Sequence, residues 1–351
     1  MSNPNKRSKP LLNNFLSESS YEPEPTDIRN FSKEELVYFL KLMRLIRSTE
    51  IKIAEGKKQG LIGGPVHLGV GQEAIATGLS KLLNKSDRVF GAHRSHSHIL
   101  SLNKNPYGLF AEVLAKKTGL SKGMGGSMHL WDEENGFMGS VPIVSGTVSL
   151  SVGAALASKL QKKSVISVAY LGDGAVEEGV VHESLNLSSI LNVPILFVVE
   201  NNLFSSHMHI NLRQPFNYTS RFAKVNNIDS QIVDGNDVIA IYKSGKKLIQ
   251  MIRDKGSPAF LEAFTYRWFG HVDWRDDIDV GIKRSKEDIK LWKRKDPILR
   301  LENAMIQNKF LDEDEIINIQ EIIDDKIEKD WAKAMKDEEQ DKNDLLNNVY
   351  S

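Results

Sequence analysis

The chain has 351 residues, 46 of them basic and 46 acidic, so its formal charge is zero. That balance argues against a surface built to hold nucleic acid, and with no cysteine there are neither disulfides nor thiol chemistry. Hydrophobic residues make up 40%, enough in a chain of this length to bury a substantial core, while no apolar run approaches membrane-spanning length.

Residues 1–30 are rich in Asn, Ser and Pro and read as a mobile arm. The start lacks a signal-peptide core and carries few arginines, so neither export nor organelle import is expected, and the expected location is cytoplasmic. Ser32–Gly56 predicts an opening helix. Ser32 stands at its N-cap with Glu35 three residues on, and Leu36, Phe39, Leu40, Met43, Leu45 and Ile46 form its apolar face. Residues 60 to about 265 alternate helical and strand patterns, as α/β folds do. Val165–Leu171 is a short apolar run ended by glycine and predicts a buried parallel strand. Val176–Leu191 has helical length, with Val180, Val181, Leu185, Leu187 and Leu191 around one side. Pro194 then breaks the pattern, and Ile195–Val199 reads as a second buried strand. Strand, helix, strand at this spacing is a right-handed βαβ unit. Arg284–Trp331 reads as helices, with Ile316, Ile323 and Ile327 as a packing stripe. The predicted body spans residues 31–335, followed by a polar tail at 336–351.

The βαβ unit carries chemistry at its corners. Gly172 and Gly174 flank Asp173 and let a ligand approach the backbone closely. Asp173 and Asn202 each fall just past the carboxyl end of a predicted strand, where open α/β sheets bind their ligands. A carboxylate, an amide oxygen and a backbone carbonyl suit magnesium, a hard cation that keeps phosphate oxygens and water in its shell. Taken alone, the GDG triplet reads more readily as a turn in an ordinary Rossmann-like domain, with Asn202 as a loop cap. A nicotinamide-dependent dehydrogenase, however, calls for an acidic residue about twenty positions beyond a GxGxxG turn, and GDGAVEEG is a poor match. Histidines 93, 96 and 98 read singly as hydrogen-bonded structural residues, and no cysteine or HExxH pattern supports zinc. Glu177 and Glu178 favour a helix N-terminus, and His67 reads as a packing or hydrogen-bonding residue.

GDG followed after roughly thirty residues by Asn-Asn is similar to the thiamin-diphosphate signature. Five further segments stand in one order. They are GGPVHLGVGQEAIATGL (Gly63–Leu79), HRSHSHIL (His93–Leu100), KTGLSKGMGGSMHL (Lys117–Leu130), IVSGTVSLSVGAALA (Ile143–Ala157) and TYRWFGH (Thr265–His271). With them the chain, over about residues 30–335, resembles the alpha subunit of the decarboxylating component of 2-oxoacid dehydrogenase complexes, the pyruvate and acetoin dehydrogenase family.

The resemblance implies an α/β thiamin-diphosphate-binding fold: a parallel sheet flanked by helices, with helical N- and C-terminal segments. It implies that Asp173, Asn202 and the Phe204 carbonyl hold magnesium. Gly172, Gly174 and Ala175 would meet the diphosphate, with Arg94 beside it and His93 where tyrosine is usual. Val144 would wedge the cofactor into its bent shape, and the carbonyls near Pro142 and Val144 would receive its amino group. His271 and His96 match the family's active-site histidines. The implied reaction is oxidative decarboxylation of a small 2-oxoacid, or cleavage of acetoin, with the acyl unit passed to a lipoyl-bearing acyltransferase. The implied partner is a beta subunit in an α2β2 heterotetramer, since the glutamate that activates the cofactor belongs to that chain. A cofactor-binding but catalytically silent subunit is the second reading, and a nicotinamide-dependent dehydrogenase the third. No nucleic acid or membrane is expected among the partners. The chain departs from the family after His271, where HVDWRDDID replaces a serine-rich loop, and at Pro142 and Ser206. These departures weaken any assignment of pyruvate itself.

Overall fold

The computed structural model describes residues 26–275 and 284–344. The first 25 residues of the expected arm, the end of the tail, and the second half of the HVDWRDDID loop lie outside them.

Helix α1 (Lys33–Lys58) starts where the sequence places it, with a reciprocal cap. Ser32 Oγ accepts from the Glu35 N–H at 3.3 Å, and Glu35 Oε2 accepts from the Ser32 N–H at 3.0 Å. All six residues expected on its apolar face are buried. Then come α2 (Glu73–Ser80), β1 (Arg88–Gly91), α3 (His96–Asn103), α4 (Pro106–Val113) and β2 (Phe137–Ser140). Next are α5 (Gly146–Leu160), β3 (Ser167–Gly172), α6 (Gly179–Leu191) and β4 (Ile195–Asn201). A small hairpin, β5 (Phe204–Ser205) and β6 (Met208–His209), runs into the single turn α7 (Ile210–Arg213). The chain continues through α8 (Ser220–Val225), β7 (Asp229–Asp234), α9 (Val238–Lys255) and β8 (Ala259–Phe264). It closes with α10 (Lys286–Arg294), α11 (Pro297–Gln307) and α12 (Glu313–Lys336).

Six strands form one sheet in the order β2-β1-β3-β4-β8-β7, and every pairing in it is parallel. The fold is therefore α/β with a parallel sheet flanked by helices. All seven residues of β4 are buried, as expected of a strand covered on both faces. Alternate side chains go to opposite layers. Val168, Tyr170, Leu196 and Val198 join the large core with α1, α2 and α9. Ala169, Leu171, Phe197 and Val199 join a second core with α5 and α6. The isoleucine stripe of α12 packs into the first of these.

Two of the boundaries that differ from the sequence reading lie beside the βαβ corner. Residues 175–177 form a 3-10 turn, Glu178 is extended (φ −70°, ψ 137°), and the α-helix begins only at Gly179. Strand β4 runs two residues past Val199, through the polar Glu200 and Asn201. Parts of both chain ends are held in place. Thr26 and Ile28 are buried, and the Lys117 N–H donates to the Glu338 carbonyl at 2.9 Å. Among the described residues, no helix is long and apolar enough to cross a membrane.

Candidate functional site

Five parallel strands deliver their carboxyl ends to one cavity of about 300 Å³. β1 leads to Ala92, His93 and Arg94, and β2 to Pro142, Val144 and Ser145. β3 supplies Gly172, Asp173, Gly174 and Ala175, β4 supplies Glu200, Asn202, Phe204, Ser205 and Ser206, and β8 leads to Arg267 and His271. This is the edge at which open α/β sheets hold ligands. All but one of the residues singled out in the sequence thus line one space. The exception is His96. It begins α3 with its ring turned into the core, fully buried, with Nε2 2.9 Å from Ser127 Oγ and Nδ1 3.3 Å from Glu50 Oε1.

The backbone around the cavity is shaped by close approach. A Cβ on Gly174 would lie 2.3 Å from Ser205 Oγ, so only glycine fits there. Ser145 (φ 62°), Leu203 (φ 70°) and Ser206 (φ 53°) hold left-handed backbone without being glycine, a costly arrangement that gathers at functional sites. Ser145 is anchored by donating from Oγ to the Ala175 carbonyl at 2.8 Å.

Asp173 is almost fully buried, and burial pushes its carboxyl above the usual range, with Arg213 opposing. One carboxylate oxygen, Oδ2, is held by Arg213 Nη2. Asn202 is fixed at both ends of its amide. Its Nδ2 donates to Gln72 Oε1 at 3.2 Å, and its Oδ1 accepts from the Phe204 N–H at 3.2 Å. Asp173, Asn202 and Phe204 all line the cavity, and a carboxylate, an amide oxygen and a backbone carbonyl are the donor types a small divalent cation takes together with phosphate oxygens and water.

The same cavity also carries cationic and aromatic side chains. Arg94 donates to the Leu68 carbonyl at 2.6 Å and to the His271 carbonyl at 3.1 Å. Arg267 is 1% exposed, and its Nη2 donates to the Ser206 carbonyl at 2.5 Å. His67, His93 and His271 meet edge to face with centroids 4.7–5.5 Å apart, and their nearest ligand nitrogens lie within 4.8 Å of one another. Such a trio has metal-ligand geometry, but the guanidinium of Arg94 lies 3.5 Å from His271 Nδ1 and repels a cation there. Burial first, then Arg94, holds His67 at about 2, His93 at about 3 and His271 at about 2. All three rings are thus neutral, able both to donate and to accept hydrogen bonds.

These depressed values fix a pH dependence. Below pH 6.5 an unfolded chain protonates the three imidazoles and the fold does not, so the unfolded state binds more protons and stability falls as pH falls. Each withheld proton contributes at most about 1.4 kcal/mol per pH unit. Asp173 and Glu262, raised by burial, oppose the trend lower down, in the carboxylate range. The urea midpoint of the chain should therefore drop between pH 6.5 and pH 5, and less steeply for His93→Phe. A flat midpoint across that window would contradict neutral, buried rings.

Several lining residues were not singled out by the sequence. Gln72, Tyr170, Glu200 and Arg267 arrive from separate elements, and His67 and His98, read from the sequence as structural residues, turn out to wall the cavity. Their signal is three-dimensional. His98 stacks on Tyr170 at 3.8 Å and meets Glu200 Oε1 at 3.1 Å, although 102 positions separate His98 from Glu200.

Residues 41–343 match the family model described as dehydrogenase E1 component. The chain is similar to the alpha subunit of acetoin:2,6-dichlorophenolindophenol oxidoreductase of Bacillus subtilis, 32% identical over 92% of this chain and 95% of that one. It is equally similar to the pyruvate dehydrogenase E1 component subunit alpha of Rhizobium meliloti, at 32% over 92% of each chain. The mitochondrial pyruvate dehydrogenase E1 component subunit alpha of Dictyostelium discoideum is 33% identical over 98% of this chain and 90% of its own length. The chain belongs to the dehydrogenase E1 component family. Within it, it is an alpha subunit of the 2-oxoacid and acetoin dehydrogenase type, an oxidoreductase component.

Proposed function

We propose that the cavity binds thiamin diphosphate and magnesium, and that with a beta subunit the chain cleaves a C–C bond next to a carbonyl in a small 2-oxoacid or acetoin. The observation that carries this reading is that Asp173, Asn202 and Phe204 line one cavity together with Arg94, Arg267 and His271. Cation and anion each find their counterpart within one space. When bound, thiamin diphosphate supplies the nucleophilic carbon and the electron sink that such a cleavage needs.

Asp173, Asn202 and the Phe204 carbonyl would hold the magnesium ion. Gly172, Gly174 and Ala175 would offer close backbone to the diphosphate, and Arg94 a guanidinium fork suited to its oxygens. Pro142 and Val144 would support the organic end. Val144 stands 47% exposed, consistent with a site completed by a second chain. His93 and His271, neutral and on the cavity wall, would hydrogen-bond reacting groups without carrying charge to them. His96 would act only through Ser127, whose neighbour Met128 lines the cavity. The acyl unit would pass to a lipoyl-type acceptor.

The full chain, co-expressed with a beta subunit, should release carbon dioxide from a 2-oxoacid, or reduce an acceptor with acetoin, only when thiamin diphosphate and magnesium are both present. A complex that binds both cofactors yet turns over nothing in such a panel would make the chain a silent subunit. Tight nicotinamide-dinucleotide binding with no thiamin effect would overturn the reading.

A further inference from the structure

Arg213 is absent from the cavity lining, yet it touches two pieces of chain that contribute to it, the segment after β3 and the hairpin after β4. Its side chain is 7% exposed. Nη2 pairs with Asp173 Oδ2, Nη1 pairs with Glu177 Oε1, and Nε donates to the Met208 carbonyl at 3.1 Å. Met208 sits on β6 opposite Ser205 of β5, and the same two-residue pairing sets Phe204 against His209. One guanidinium therefore ties the loop after β3, which carries Asp173, to the hairpin after β4, which carries Phe204. Gln214 repeats part of the tie, donating from Nε2 to Glu177 Oε1 at 2.6 Å and to the Asp173 carbonyl at 3.3 Å.

We propose that Arg213 is a positioning residue for the cation site, gripping Asp173 from outside the cavity and fixing its carboxylate relative to the Phe204 carbonyl. The inference rests on the reading that these residues hold magnesium, and it adds a side chain that the sequence did not single out. Its physical basis is the guanidinium fork, which can serve a carboxylate, a second carboxylate and a carbonyl at once. Ligating carboxylates are commonly oriented by such outer partners, whose loss weakens metal binding by about 10–100-fold. The opposite arrangement makes the opposite prediction. An arginine standing in the cation's own place would have to leave, and its removal would tighten magnesium binding.

The test uses the full chain with its partner subunit and measures thiamin diphosphate binding by calorimetry over a magnesium series. Arg213→Ala should raise the magnesium half-saturation by about 10-fold or more, with excess magnesium restoring full binding. Arg213→Lys should fail to restore it, since one ammonium nitrogen cannot reach the separate positions that Nη1, Nη2 and Nε of the planar fork serve. Glu177→Gln alters the exposed anchor of the fork. It should shift half-saturation the same way by less and leave the thermal midpoint in place. An unchanged or lowered half-saturation in Arg213→Ala overturns the proposal. If that variant does not fold, an unmoved half-saturation in Glu177→Gln overturns it instead. Wild-type binding that ignores magnesium, or Asp173→Asn binding that still depends on it, would overturn the metal reading and the proposal with it.

Discussion

Asp173→Asn should abolish magnesium-dependent retention of thiamin diphosphate, with affinity at physiological magnesium falling by at least about 100-fold, beyond the range expected for losing an outer partner. The substitution keeps side-chain volume and removes one negative charge from a group that is 1% exposed. Two guanidiniums, those of Arg213 and Arg267, act on that charge, so the aspartate balances local cation charge even before a metal binds. Breaking a buried ion pair by removing one partner costs about 3–5 kcal/mol when the other charge is left bare. Here Arg213 keeps Glu177 and the Met208 carbonyl, so the loss of fold stability should stay below that range. The diagnostic result is therefore a dissociation between a small drop in thermal midpoint and a near-complete loss of cofactor binding. Calorimetry with and without magnesium reads the second directly. Retention of tight, magnesium-dependent binding in this variant would remove Asp173 from the metal site and leave the cavity's acidic wall without an assigned purpose.

What the sequence could reveal about this site was whatever is local along the chain. Gly172, Asp173 and Gly174 are consecutive, and a buried strand on either side of α6 places Asn202 at the matching strand end. Both features follow from period and turn residues alone. The parallel sheet followed in the same way from apolar runs separated by helical patterns. The opening helix carried its own start signal in Ser32 and Glu35. The break before α6 was not visible, because Val176 and Glu177 continue a helical pattern and only the extended Glu178 interrupts it. Arg267, Glu200 and Gln72 were not visible either. Each is an ordinary polar residue in its own segment; the sheet order β4-β8 brings Glu200 and Arg267 together, and the start of α2 brings Gln72 to them. His96 illustrates the converse. In sequence it stands two positions from Arg94, but the start of α3 turns its ring away toward Glu50, while Arg94 stays on the cavity.

Glu112 is the other residue whose loss should be felt most. It lies on α4, fully buried, and its two oxygens accept four backbone N–H groups from the loop that follows. Oε2 takes those of Ser121 at 2.6 Å and Gly123 at 2.9 Å, and Oε1 takes those of Gly125 at 2.7 Å and Gly126 at 3.0 Å. The glycines are needed for the wrap. A Cβ on Gly119 would sit 2.5 Å from Glu112 Oε2, and one on Gly125 would sit 2.0 Å from the His129 carbonyl. The loop then delivers Ser127 to His96 and Met128 to the cavity. Glu112→Ala leaves four N–H groups without acceptors, at about 1–3 kcal/mol for each that stays buried. Water reaches part of this loop, where Met124 is 41% exposed, so the expected total is about 3–5 kcal/mol. Glu112→Gln should give little rescue, because the amide nitrogen would face two N–H donors and accept neither. Urea unfolding measures the loss of stability, and limited proteolysis between Lys117 and Met128 should cut the variants sooner than the wild type. Cofactor binding should weaken in step, since one cavity wall rests on this loop. A Gln variant within about 1 kcal/mol of the wild type, with an uncut loop, would show that the glycines hold the wrap without the carboxylate.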